Sequence, residues 1–448
     1  MFRKLLVANR GEIARRIIRA CRELGIATVA VHSDVDAGAP HVHDADEAVA
    51  IGPPPARQSY LSIEAVVGAA LRVGADAVHP GYGFLSENWR FAEACRQAGL
   101  IFVGPSVDAI RSMGDKTEAR RRMAAAGVPV LPGSDGAVSD GQAAARIAAE
   151  VGFPVLLKAA GGGGGIGMAR VNAPADLAGA LATVQRRAEA AFGNPAVYIE
   201  RYAERARHVE VQIFGDGEGR VVHLHERECS IQRRHQKLVE ESPAPGLPAS
   251  VKERLTRAAV DGARAIEYVN AGTMEFLVEE SGDFWFLEMN TRLQVEHSVT
   301  EEVTGLDIVT AQLCVAAGAP LPWGQAEIAQ RGAALECRIY AEDPARNFLP
   351  SPGTITALAL PQGEGIRVES GIVAGSEVSV HYDPLLLKLV TRGTTRDEAV
   401  ARMAHALDNC VIEGVRTTVP FLRRVIAHPQ FRRGTVHTQM VEQGAFNA

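Results

Sequence analysis

A chain of 448 residues with 47% hydrophobic and 22% charged residues has an ordinary globular composition and the length for about two to four domains. Its net charge of −6 argues against a nucleic-acid binder, and no apolar run approaches the roughly twenty residues of a membrane span. Six scattered cysteines, Cys21, Cys95, Cys229, Cys314, Cys337 and Cys410, show neither CxxC nor metal-ligand spacing, which fits a reducing cytoplasm rather than a disulfide framework or a zinc site.

Residues 4 to 8 read as a buried strand, and Asn9 to Glu12 turn into a helix carrying Ile13, Ile17, Ile18 and Cys21 on one side. Strands at Thr28–Val31, Ala77–His79 and Ile101–Val103 alternate with helical patterns, so residues 1–113 form a Rossmann-like α/β domain with a mostly parallel sheet. The ANRGEIA turn holds one glycine and therefore lacks the dinucleotide fingerprint. HPGYGFLSEN, residues 79–88, follows a strand end, where open α/β sheets place ligands. Glu87 is a candidate site residue there, the alternative being a helix-capping pair with Ser86.

From Gly114 the character changes. Asp115, Lys116 and Thr117 open a basic helix that ends at Gly127, and a proline- and glycine-rich stretch leads into a small unit. A strand at Phe153–Leu157 ends in Lys158 and is followed by AAGGGGGIGM. Gly162, Gly164 and Gly167 spell GxGxxG, but Met168–Val171 reads as a strand rather than a helix, so the stretch is a glycine-rich hairpin. Five consecutive glycines let backbone N–H groups approach phosphate oxygens while Lys158 supplies charge. Ala196–Ile199 is a strand delivering Glu200 and Arg201. In HVEVQIF, His208, Glu210 and Gln212 alternate with apolar residues, and the return strand leads into ERECSIQRRHQK, whose His235 and Lys237 read as anion binders. Cys229 within it reads as an inert thiol. Residues 250–267 form an amphipathic helix.

LEMNTRLQVEH, residues 287–297, places Glu288, Asn290, Arg292, Gln294 and Glu296 at every second position, so one extended strand would present all five on one face. With a turn centred between Ser281 and Gly282, Thr273–Val278 pairs back on this strand and Glu275 faces Glu288. Two carboxylates so placed repel unless a cation such as magnesium lies between them, with Asn290 near. The alternative is a solvated strand face on which Arg292 and Glu296 form an ion pair. A helix over about 305–317 and a linker over 318–332 follow. Residues 331–448 form an α+β unit in which Glu336, Arg338 and Tyr340 alternate with Leu335, Cys337 and Ile339.

ANRGEIA, HPGYGFLSEN, MGDK, KAAGGGGGIGM, HVEVQ, ECSIQRRHQK, EMNTRLQVEH and ECRIYAEDP, in that order, resemble the biotin carboxylase component of biotin-dependent carboxylases over essentially the whole chain. The resemblance implies an N-terminal α/β domain (1–113), an ATP-grasp domain (114–330) whose small lid (about 131–203) carries the glycine loop, and a C-terminal domain (331–448). It implies nucleotide contacts from Lys116, Lys158, Gly161, Gly162, Gly163, Gly164, Gly165, Glu200, Ala203, His208, Gln232 and His235. Glu275, Glu288 and Asn290 would hold magnesium or manganese. Lys237, Arg292, Gln294, Val295, Glu296, Arg338, Tyr82 and Glu87 would serve bicarbonate and biotin, with Glu296 as the base and Arg338 stabilising the biotin enolate. ATP, bicarbonate and biotin are the implied reactants. The implied partners are a biotin carboxyl carrier protein, a second copy of the chain and a carboxyltransferase subunit. No Met-Lys-Met biotinylation motif occurs, so biotin is expected on a separate carrier. Two positions depart from the family: Ile166 replaces a basic residue of the glycine loop, and Glu364 replaces an aromatic dimer contact, although Arg19, Glu23 and Arg367 match. The alternatives are an ATP-grasp ligase that activates bicarbonate for an amine, and a non-catalytic scaffold.

Overall fold

Short runs of valine, isoleucine and alanine separated by helices build the first sheet. In the computed structural model, which describes residues 1–138, 140–160 and 167–447, its order is Glu47–Gly52, Ala27–Ser33, Lys4–Val7, Ala77–His79, Ile101–Phe102, all parallel. The edge strand Glu47–Gly52 carries no clear sequence signal because most of its side chains face solvent. Helix Gly11–Glu23 buries Ile13, Ile17, Ile18 and Cys21 against the sheet. Its opposite face is covered too, by helix Ile308–Ala316 and strand Ile366–Ser370, so Glu12 and Arg16 are also buried. Arg16 is compensated by Glu301 at 3.0 Å and Asp307 at 2.7 Å.

A second, small antiparallel sheet has the order Met168–Val171, Val155–Ala159, Val197–Arg201, with Lys158 between Met168 and Tyr198. Helices Gly141–Val151 and Leu177–Phe192 cover it through Ala144, Leu181 and Val184. Gly161 to Gly165 and Ile166, expected to form the phosphate loop, lie outside the described residues.

The third sheet dominates the molecule: Phe284–Asn290, Asn270–Val278, Arg207–Gly215, Val221–Arg233, Gln236–Ser242, Ala333–Tyr340, Leu385–Gly393 and Ile366–Ser370, all antiparallel. Val209, Val211 and Ile213 pack on one face with helix Ala249–Ala265. The alternating His208, Glu210 and Gln212 are equally buried, on the other face. Helix His297–Thr304 helps cover that face, and Thr300 on it receives a hydrogen bond 3.0 Å from the Arg227 guanidinium.

The structure departs from expectation at two places. The helix expected at about 305–317 is Ile308–Ala316, opened by Asp307, which accepts from the Thr310 N–H, but a further, unexpected helix, His297–Thr304, precedes it and ends at Gly305 (φ +72°). The C-terminal α+β unit does not stand apart, because Ala333–Tyr340 pairs directly with Gln236–Ser242 and buries Leu335, Cys337 and Ile339 beside Ile231, Leu238 and Val239. Sequence separation does not oppose such pairing once both strands share a core.

All three tryptophans, Trp89, Trp285 and Trp323, precede residue 331. Leu335→Ala, at a fully buried position, should cost about 2–5 kcal/mol and lower the midpoint seen by tryptophan fluorescence together with that seen by far-UV circular dichroism. An unchanged fluorescence midpoint beside an earlier dichroism phase would show that the shared sheet does not couple the two units.

Candidate active site

A tight turn with Gly282 at φ +84° joins the two strands of the hairpin that carries the acids. Val278 pairs with Phe284 rather than Trp285, one residue tighter than a turn centred between Ser281 and Gly282 allows. An irregularity at Leu287 restores the register, and Glu275 stands opposite Glu288 as expected. On its other side Glu275 pairs with Glu210, which pairs with Arg227. Four strands therefore set one row of ionisable side chains, Arg227, Glu210, Glu275 and Glu288, across the sheet.

The strand does not continue to Glu296. It ends at Asn290, and Glu296 (φ −80°, ψ 11°) is the residue that enters helix His297–Thr304. Leu293 turns inward to the core beneath the first helix, which an unbroken strand would not permit. Asn290, Arg292, Gln294 and Glu296 converge through polar contacts instead of alternation. Asn290 Nδ2 and Gln294 Nε2 donate to Glu275 Oε1 at 2.7 and 3.0 Å. Arg292 donates to Asn290 Oδ1 at 2.9 Å, Gln294 Oε1 at 2.8 Å and Glu87 Oε2 at 2.8 Å. Glu87 is not a helix cap: Asn88 caps Trp89–Gln97, while Glu87 braces Arg292 and accepts the Thr291 N–H.

The solvated-face alternative fails as well, because Glu275, Asn290, Gln294 and Glu296 are buried. Arg292 and Glu296 pair with other groups. Lys237 Nζ donates to Glu210 Oε2 at 2.5 Å, Glu275 Oε1 at 2.7 Å and Glu296 Oε1 at 2.6 Å, and Arg338 donates to Glu296 Oε2 at 2.8 Å. Burial alone would raise the Glu296 carboxyl, but Lys237, Arg338 and Arg227 hold it well below the usual range. Burial would likewise lower Lys237, yet Glu210, Glu275 and Glu296 drive it far above an ordinary lysine. Against the same effect of burial, Lys237 and His208 keep Glu275 low, and Glu275, 2.9 Å from His208 Nε2, raises that imidazole.

Lys237, Glu275, His208 and Arg338 floor a cleft of about 1050 Å³ walled by the second and third sheets and by the segments that follow strands Lys4–Val7 and Ala77–His79 of the first. Lys116, Ala203, His208, Gln232, His235, Lys237, Glu288, Arg292, Val295, Arg338 and Tyr82 line it. Lys116 Nζ approaches Glu288 Oε2 at 3.6 Å, and Lys158 Nζ donates to the buried Glu200 at 2.5 Å. Arg120 reaches Glu200 from the other side at 2.9 Å. The Val295 carbonyl accepts from Lys388 at 2.5 Å, and Tyr82 donates its hydroxyl to Glu12. Cys229 is buried, and that burial raises its thiol, so it is unreactive.

Glu275, Glu288 and Asn290 offer oxygen donors on facing strands at the cleft, a hard set suited to magnesium or manganese. Glu288, with 36% of its side chain exposed, is the acid still open to a cation. The ligand atoms of His208, Glu210 and Glu275 also cluster within 4.8 Å, but Lys237 already neutralises that group. Glu210, Arg227, Glu12 and Lys388 belong to the site without having been singled out by sequence pattern. Glu210 is visible in the His208-Glu210-Gln212 alternation and Arg227 pairs with it across the next strand, whereas Lys388 owes its place to a strand pairing distant in the chain and Glu12 to the helix that meets Lys388.

Three family models match in order: biotin carboxylase, N-terminal domain (residues 1–110), carbamoyl-phosphate synthase L chain, ATP binding domain (115–323), and biotin carboxylase C-terminal domain (336–443). The biotin carboxylase of Halalkalibacterium halodurans is 52% identical over 98% of this chain and 97% of its own. Biotin carboxylase 2 of Bacillus subtilis is 51% identical over 99% and 100%. The crystal structure of a Campylobacter jejuni biotin carboxylase–β,γ-ATP complex superposes with a TM-score of 0.96 at 45% identity, covering 99% of both chains. The Hydrogenobacter thermophilus 2-oxoglutarate carboxylase biotin carboxylase domain dimer, solved with MgADP, ADP and bicarbonate, does so at 0.96 and 46%, covering 100% of this chain and 99% of that one. Fold and site define an ATP-grasp ligase. The chain belongs to the biotin carboxylase family.

Among the described residues, Lys237 is the one cation that neutralises three buried carboxylates at once, so Lys237→Gln should destabilise the protein by about 3–5 kcal/mol near neutral pH. In the wild type Lys237 holds Glu275 and Glu296 below their unfolded values, and that stability is present above the usual carboxylate range. In the variant burial raises them instead, so the deficit should shrink as pH falls towards that range and the acids protonate. Melting temperatures of both proteins across pH check this, and a deficit independent of pH would refute it.

Proposed function

We propose that this chain uses ATP and bicarbonate to carboxylate biotin carried on a separate biotin carboxyl carrier protein, for transfer by a carboxyltransferase subunit. The observation that carries the reading is the ionised Glu296 buried between Lys237 and Arg338, two cations that line one cleft with Arg292 and the phosphate-directed lysines Lys116 and Lys158. Lys116, Lys158, the glycine loop, Glu200, Ala203, His208, Gln232 and His235 serve the nucleotide. Glu275 and Glu288, with Asn290, hold magnesium or manganese, which when bound neutralises charge on the transferring phosphates.

Bicarbonate is a weak acid and must lose its proton as its oxygen bonds to the γ-phosphorus and the bond to ADP breaks. Lys237 and Arg292, with Gln294 and Val295, bind the anion. Glu296 takes the proton: an anion seated among its cations competes for their charge and raises the proton affinity of the carboxylate. Carboxyphosphate breaks into CO2 and inorganic phosphate beside biotin, the released phosphate takes the ureido N–H proton, and the nitrogen bonds to CO2 while Arg338 stabilises the deprotonated ureido group, with Tyr82 on the cleft wall and Glu87 bracing Arg292.

The division into residues 1–113, 114–330 with a lid over about 131–203, and 331–448 is supported by the three matched segments, and its first domain and lid by the first and second sheets. A homodimer is supported by Arg19, whose side chain is 46% exposed where it meets Glu369 at 2.6 Å, with Arg367 on the same acid at 2.8 Å and Glu23 exposed. Glu364 is exposed and polar, so it adds no apolar contact. Six cysteines without disulfides fit the cytoplasm. No helix among the described residues is long and apolar enough to cross a membrane. The holoenzyme proposed is an acyl-CoA carboxylase with acetyl-CoA as the first acceptor to test. A pyruvate carboxylase component of Methanothermobacter thermautotrophicus is 51% identical, so the acceptor is decided by whichever carboxyltransferase co-purifies.

Free biotin should stimulate bicarbonate-dependent ATP hydrolysis, and Glu296→Gln should cut biotin carboxylation by at least about 10²-fold with little change in ATP affinity. Stimulation by a simple amine but not by biotin would favour the amine ligase, and no hydrolysis at all the scaffold. Glu288→Gln, at a half-buried position, should lose most ATP hydrolysis yet unfold as the wild type does. An unfolded variant or an unchanged turnover would remove Glu288 from the metal site.

A further inference from the structure

Behind Arg338, away from the cleft, the sheet holds a second acid pair. Glu240 on Gln236–Ser242 lies directly opposite Glu336 on Ala333–Tyr340, and both are fully buried. Cross-strand partners have Cβ atoms about 4.5–5.5 Å apart, close enough for their carboxyl groups to touch. Arg338 Nη2 stands 2.5 Å from Glu240 Oε1, and Lys388 Nζ stands 3.9 Å from Glu336 Oε2. Apart from these ion pairs, none of the four carboxyl oxygens has a hydrogen-bond partner among the described residues. A buried carboxylate without donors is expensive, and two side by side are more so.

We propose that Glu240 and Glu336 share one proton, and that this singly charged acid pair is a positioning device that lets Arg338 remain on Glu296. The bridging proton supplies the missing donor, running from an oxygen of one glutamate to an oxygen of the other. With that proton in place the pair carries one negative charge, and Arg338 divides its guanidinium between Glu240 and Glu296, 2.5 and 2.8 Å away. Loss of the proton adds a charge beside Glu240 and draws Arg338 off Glu296, weakening its hold on the base and on biotin.

The surrounding charges agree with a retained proton. Burial raises both acids, opposed by Arg338 at Glu240 and by Lys388 at Glu336. Neither cation is given over to the pair: Arg338 also serves Glu296, and Lys388 also donates to the Val295 carbonyl and Ser298 Oγ and lies 3.4 Å from Glu12. Lys237 on the same strand as Glu240 is held by its own three glutamates. The remaining titratable neighbours add no positive charge. Burial raises the Cys229 and Cys337 thiols and the Tyr340 hydroxyl, and burial beside Lys388 and Arg16 keeps His297 neutral.

The test is infrared spectroscopy of the full chain in water and in D2O, recording the C=O stretch of protonated carboxylic acids above the usual carboxylate pH range. One band should vanish in both Glu240→Gln and Glu336→Gln, because in either variant the amide N–H replaces the shared proton and the remaining acid ionises. Loss in only one variant, or in neither, overturns the shared proton. If a variant does not fold, titration of the wild-type band decides, and absence of any protonated acid at neutral pH overturns the proposal. The second readout is the pH profile of kcat for biotin carboxylation. The wild type should lose kcat on the alkaline side as the proton leaves, and in either variant that limb should move up by at least about one pH unit, with KM for ATP unmoved. An alkaline limb that stays in place in both variants overturns the positioning role. This second readout rests on the assignment of Glu296 and Arg338 to the reaction. The infrared band does not, so failure of one is distinguishable from failure of the other.

Discussion

One lysine holds three buried glutamates. Lys237 reaches Glu210, Glu275 and Glu296 at 2.5 to 2.7 Å, and the floor of the cleft depends on that contact. Isolated, any of these carboxylates would be costly where it stands. Together around one ammonium, they fix the spacing of two adjoining strands and the first turn of a helix. The same arrangement leaves Glu296 ionised, held by Lys237 on one oxygen and Arg338 on the other.

The charges extend beyond Lys237 as an alternating series. Arg227, buried to 0% exposure, sits behind Glu210 and is held by Gln212, Thr273 and Thr300. On the other side, Glu296 leads to Arg338, then to the Glu240–Glu336 pair and to Lys388. Networks of this kind in a low-dielectric interior specify one arrangement strongly, because each unpaired member would carry the full cost of its desolvation. Arg338 enters the series only because the C-terminal strand Ala333–Tyr340 joins the sheet of the nucleotide-directed unit. The unbroken sheet is therefore what carries the proposed biotin chemistry and phosphate chemistry into one cleft.

Much of this was legible from local pattern. Apolar periodicity marked the strands of the first sheet and the first helix. The failed GxGxxG match followed by a strand excluded a dinucleotide turn, and Met168–Val171 is indeed a strand antiparallel to Val155–Ala159. The hairpin placed Glu275 opposite Glu288 even though its turn is one residue tighter than expected, since the irregularity at Leu287 cancels the difference. Residue types alone pointed to hard-oxygen cation binding and to anion binding, because glutamate, arginine and lysine have few other uses at that density.

What the sequence by itself determined was the order of elements, the family and the chemical kind of each site residue, because these follow from side-chain type and from spacing along the chain. Only the tertiary structure decided that the strand stops at Asn290, that Glu296 belongs to a helix entrance, and that Glu87 braces Arg292 instead of capping a helix. It also decided that the polar face of the large sheet is buried and that Lys237, not a partner nearby in sequence, neutralises it. The physical reason is that periodicity records which way a side chain leaves the backbone, whereas its charge partner is set by the strand that pairs alongside. In this sheet that strand comes from as far as about a hundred residues away.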